Sequence, residues 1–146
     1  MLESMGYFKM SDNLSRNDQR EKVVQALYSC LINEQAKIDY DPRDIFLGVF
    51  KLSDFSQGEI FPKEIFVGAL KNKDKIISEI EPKLIKWQFS RLNTYAQALL
   101  LEAVSEGKYS SMTPKSIVID SAVNLAKKYL DAKDYRYINA VLDKVL

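Results

Sequence analysis

Apolar residues recur three and four positions apart through most of this chain, the spacing of helices that each bury one stripe. The first run holds Val23, Val24, Leu27, Cys30 and Leu31. Ahead of it, Ser15-Arg16-Asn17-Asp18 fits a capping box, in which the serine oxygen takes a free amide of the first turn and the acid reaches back. Asp41-Pro42 opens a second helix with Ile45, Phe46, Val49 and Phe50 inside, proline standing where its missing N–H is not needed. Ser53 to Phe61 reads as a loop or broken helix, and Pro62 starts a third helix with Ile65, Phe66, Ala69 and Leu70 on its inner face.

From Asp74 onward Ile76, Ile77, Ile80, Leu84 and Trp87 keep helical spacing, with Pro82 inside the pattern as a kink or a new start. Asn93 caps a run through Tyr95, Leu99, Leu100, Ala103 and Val104 to Gly107, a residue suited to the left-handed position beyond a helix end. Thr113-Pro114 caps a helix ending in Lys127-Lys128-Tyr129, and Asp131 to Asp134 gives the last helix an acidic start. The pattern predicts an all-α bundle of about seven helices with short connectors. It forms one domain over residues 15–146, after a flexible lead-in over residues 1–14 that Tyr7 and Phe8 partly dock.

Composition supports this picture and narrows the chemistry. The 146 residues include only 5 Gly and 4 Pro, too few for a strand-rich fold built on tight turns. The single Cys30 excludes an internal disulfide, and Glu3 and Lys9 break the first ten residues, so no signal peptide is expected and the location is read as cytoplasmic. Charged residues interrupt every hydrophobic run, leaving no candidate membrane span.

The chain has no His, which removes the commonest general base and zinc ligand. No glycine pattern cradles phosphates, and no cofactor or metal is expected. Asp39, Asp41 and Asp44 suggest a calcium loop, yet Asp44 stands where that loop needs glycine and Phe50 where it needs the closing acid. Cys30 lies on a buried stripe and reads as a core residue. The expectation is a protein that binds and does not catalyse.

Two features invite binding. Arg16 and Arg20 lie four apart at the start of the first helix, where positive charge opposes the helix dipole. Lys127, Lys128 and Tyr129 end the penultimate helix, followed by Lys133, Tyr135, Arg136 and Tyr137. Basic residues interleaved with aromatics suit single-stranded RNA, because cations hold phosphates while rings stack on exposed bases. The same residues also suit a plain helix terminus with core tyrosines, the reading that periodicity alone favours. The net charge of +1 means that any anion site is local.

The segment Leu125-Ala126-Lys127 followed by Asn139-Ala140-Val141-Leu142-Asp143-Lys144 resembles the C-terminal motif of the NusB family of transcription antitermination factors. Further matches are Arg20-Glu21 with Gln25-Ala26-Leu27-Tyr28, then Val67-Gly68, Ile80, Leu84, Trp87, Arg91 and Leu92, so the resemblance runs from about Ser15 to Lys144. It implies two small antiparallel helical subdomains. It also implies an adaptor within the transcription elongation complex, binding the single-stranded boxA segment of ribosomal RNA leader together with NusE, a small-subunit ribosomal protein. Carried onto this chain, the RNA surface comprises Arg16, Arg20, Tyr28, Lys127, Lys128 and Tyr129, with Arg136 added from the basic and aromatic pattern.

Departures are visible. Asn17, Asp18 and Gln19 stand where the family clusters arginines, which reduces phosphate affinity. The family's Ile-Leu-Arg-Leu-Ala-x-Tyr-Glu-Leu is here Leu99-Leu100-Leu101-Glu102-Ala103-Val104-Ser105-Glu106-Gly107, so its Arg and Tyr are missing. A helical adaptor that keeps the protein contact and has lost RNA recognition is therefore the competing expectation.

Overall fold

The computed structural model describes residues 14–146. The lead-in expected over residues 1–14, with Tyr7 and Phe8, lies outside them apart from Leu14. Among the described residues there are seven α-helices and no strand: α1 (Arg16–Gln35), α2 (Pro42–Phe50), α3 (Ile60–Lys71), α4 (Lys73–Ile80), α5 (Thr94–Val104), α6 (Lys115–Tyr129) and α7 (Ala132–Val145). The expected caps hold three of the starts. Ser15 Oγ accepts from the Asp18 amide at 3.0 Å, Asp41 Oδ1 from Arg43, and Asn93 Oδ1 from Tyr95 and Ala96.

α5 is the centre of the molecule. Every residue from Ala96 to Val104 is buried, and the helix packs against α1, α3, α4, α6 and α7. A helix buried on all sides needs such a sheath. α1 and α3 cover one side, with Phe46 of α2 seated against Phe50, Phe55 and Phe66, while α6 and α7 pair with each other on another. Cys30 lies in this interior, and burial pushes its thiol up to about 11. It is a core residue.

Two expected continuations do not occur. The helical spacing through Leu84 and Trp87 stops being helix at Pro82: α4 ends at Ile80, a short tight turn covers Glu81–Lys83, and Leu84 is extended. Proline lacks the amide and its ring clashes with the preceding turn, so the period outlives the helix. Ile85 and Trp87 consequently face solvent at 91% and 59% exposure. Gly107 does not end its helix in a left-handed conformation either. The chain after α5 continues as a widened π-turn, Ser105–Tyr109, and the left-handed residue is Met112. Gly107 serves close packing instead, since a Cβ there would lie 2.8 Å from Leu146 Cδ2. Gly68 likewise lets α3 approach this turn, where Ser105 Oγ donates to the Ile65 carbonyl at 2.8 Å.

Among the described residues, the π-turn carries the one charge-paired site of the core. Glu106 is fully buried and receives Arg20 Nε at 2.9 and 3.0 Å and Arg20 Nη2 at 2.9 Å. Such a forked pair holds α1 against the end of α5 with fixed geometry. Glu102, one turn earlier, is also buried, and its Oε2 has no partner. Burial and the neighbouring Glu106 raise the Glu102 pKa well above the carboxylate range. Burial would raise Glu106 too, but hydrogen bonds from Glu102, Arg20 and Thr113 reverse this and lower it. One proton is thus held on Glu102 beside an ionised Glu106.

The two groups act on stability with opposite sign. Glu102, raised on folding, contributes fully below the ordinary carboxyl range, and its contribution is lost as pH rises through its raised value; Glu106, lowered on folding, loses its contribution in acid. Denaturation of the wild type should therefore show stability falling as pH rises above the ordinary carboxyl range, and Glu102→Leu should flatten that slope. Arg20→Ala should cost about 3–5 kcal/mol by stranding the Glu106 charge. An equal slope in Glu102→Leu would sink the proton assignment.

Candidate nucleic-acid interface

The expected site residues separate into three groups. Arg20 is buried by its pairing with Glu106, and its Nη1 donates to Asn17 at 2.9 Å, so the arginine that looked solvent-facing in the first turn is turned inward. Arg16 remains exposed, but its guanidinium sits 4.1 Å from the Phe61 ring centroid of α3, a cation–π contact, with Gln19 beside it. Arg136 is exposed on α7 between Tyr135 and Tyr137.

Of the remaining residues, Tyr28, Lys128 and Tyr129 converge, whereas Lys127 is directed to α7. Tyr28 of α1 and Tyr129 of α6 both pack on Tyr95 of α5, with ring centroids 6.3 and 4.9 Å apart and tilted by 51° and 43°. Tyr95 is largely covered, whereas Tyr28 and Tyr129 are partly exposed, at 38% and 45%. Lys128 Nζ lies 5.3 Å from the Tyr129 ring centroid, and Lys127 Nζ lies 5.6 Å from that of Tyr135. The result is an aromatic strip edged by Lys128 at the end of α6, where cations also suit the helix dipole.

Tyr95 and Glu21 are members of this arrangement that the pattern of basic and aromatic residues did not single out. Tyr95 was visible only as an apolar position after the Asn93 cap. Glu21 was visible beside Arg20. Its carboxylate accepts from Lys128 Nζ at 3.0 and 3.1 Å and from the Tyr129 hydroxyl. Burial alone would raise the Glu21 pKa, but the bonds from Tyr129 and Lys128 outweigh it and the pKa is lowered. The bond to Glu21 raises both Lys128 and Tyr129, so at neutral pH the lysine is charged and the phenol intact.

Residues 17–146 match the NusB family profile. The chain belongs to the NusB family. It is 31% identical over 144 residues to the transcription antitermination protein NusB of Geobacillus kaustophilus, covering 90% of this chain and 95% of that one. The NusB of Treponema denticola is 42% identical over 62 residues, which span 42% of this chain and 46% of that protein. Among solved structures, the crystal structure of antitermination factors NusB and NusE in complex with dsRNA matches with a TM-score of 0.75 at 23% identity, covering 89% of this chain and 94% of that one. That likeness bears out the all-helical NusB-like fold.

The Tyr95 hydroxyl has no hydrogen-bond partner although it is buried. Removing it should cost nothing: Tyr95→Phe is expected to keep or raise stability by up to about 1 kcal/mol, while Tyr95→Ala should lower it by about 3 kcal/mol and loosen both flanking rings. Urea denaturation gives the stabilities and the aromatic circular dichroism band reads the ring cluster. A loss of more than about 1 kcal/mol in Tyr95→Phe would contradict the unpartnered hydroxyl.

Proposed function

We propose that this NusB-family protein is a transcription antitermination factor that binds boxA-like single-stranded RNA of the ribosomal leader, in concert with the small-subunit ribosomal protein NusE, in the cytoplasm and on the elongating transcription complex. The observation that carries the reading is the convergence of Tyr28, Lys128 and Tyr129, from helices far apart in sequence, on one exposed strip. Partly exposed rings beside a lysine suit unstacked bases and their phosphates, whereas a paired duplex hides its bases from stacking.

Within this reading Tyr28 and Tyr129 stack bases, Lys127 and Lys128 take phosphates, and Arg16 and Arg136 extend the basic track. Arg20 acts at one remove, by holding α1 in place. No group in this arrangement needs to react. The second reading, an adaptor that keeps NusE and has lost RNA, is favoured by the internal engagement of Arg20 and Lys128 and by the net charge of +1.

Titration of a boxA-like RNA at low and moderate salt distinguishes the two. The wild type should prefer it over an unrelated RNA of equal length, with affinity falling as salt rises. Tyr28→Ala and Tyr129→Ala should each cost about 1–3 kcal/mol of binding, and Lys127→Ala about 1 kcal/mol with a shallower salt slope. No preference for the boxA-like RNA would end direct readout. Retention of NusE by such an RNA-blind protein would then establish the adaptor.

A further inference from the structure

The outermost cation of the strip already has an oxyanion. Lys128 Nζ and the Tyr129 hydroxyl, adjacent at the end of α6, both donate to the Glu21 carboxylate, which α1 supplies. The carboxylate is the sheltered member, with 18% of its side chain exposed against 58% for Lys128. Two donors are therefore arranged around one delocalised negative charge, the acceptor chemistry that a phosphodiester also presents.

Resting on the reading of this strip as an RNA face, we infer that Glu21 is an internal stand-in for phosphate, which Lys128 and Tyr129 exchange for a backbone phosphodiester when a strand binds. The exchange is accessible because a half-exposed ion pair is only weakly held. It also sets selectivity. Any incoming anion must displace a carboxylate of like charge, a cost shared by all polyanions. Only a strand whose bases stack on Tyr28 and Tyr129 at the same moment offsets that cost, so Glu21 discriminates against phosphate presented without bases in register. While unliganded, the same carboxylate holds Tyr129 at its angle to Tyr95, keeping the ring face set for stacking.

The test uses the full chain as wild type, Glu21→Gln and Lys128→Ala, titrated across a salt series with boxA-like RNA and with an unrelated RNA of equal length. Glutamine keeps the size and an acceptor oxygen for Tyr129 while removing the charge. Glu21→Gln should bind both RNAs several-fold more tightly, with a salt slope like that of the wild type, because Lys128 takes the same phosphate in both complexes. The gain should be larger for the unrelated RNA, narrowing the preference. Equal or weaker binding by Glu21→Gln, with its aromatic circular dichroism unchanged, overturns the stand-in role even if the wild type prefers boxA-like RNA and Lys128→Ala weakens it. A wild type without preference and indifferent to Lys128→Ala overturns the RNA face itself, and the inference with it.

Discussion

Arg20 enters the interior because Glu106 is ionised there, and a buried carboxylate demands a partner that can satisfy it from a fixed direction. That demand sets the rotation of α1 about its own axis. With Arg20 inward, Glu21 lies one helical step, about 100°, to the side, and Tyr28, two turns further on, falls on nearly the same line. The buried pair and the surface strip are thus one arrangement seen from two sides. Moving α1 by a single residue to favour either would misplace the other.

The same helix that receives Arg20 carries a second carboxyl where the family pattern has leucine. One guanidinium cannot balance two ionised acids in a dry site, and the molecule resolves the conflict by keeping a proton on Glu102. The interior of α5 is therefore held by packing plus a protonation state. Its Ser105, standing for tyrosine in that pattern, makes a small contact with α3 at Gly68, so the two departures around the π-turn fit a local shape in which backbone comes close to backbone.

The helices were legible from their apolar period, and three of them also from their starts, where Ser15, Asp41 and Asn93 cap by reaching the amides of the following turn. Legibility failed where the period and the backbone disagree. Leu84 and Trp87 keep a spacing that Pro82 has already made impossible, and Gly107 has the composition of a terminus inside a segment that burial of Ser105 and Glu106 keeps wound. Arg20 was misleading for another reason. Its partner lies 86 residues away, and no local spacing encodes whether an arginine of the first turn faces water or a distant acid. The grouping of Tyr28 with Lys128 and Tyr129 was expected from family resemblance; the part of Glu21 in it follows from side-chain geometry.

Trp87 is the only tryptophan of the chain, and it sits on the connector between α4 and α5 with most of its ring in water. An indole so placed is expected to emit much as a solvated one in the folded protein as in the unfolded, reporting on the connector rather than on the core. The tyrosines that bridge α1, α5 and α6 are the natural optical probes of this fold: their environment depends on three helices meeting, so their signal disappears when any one of them leaves.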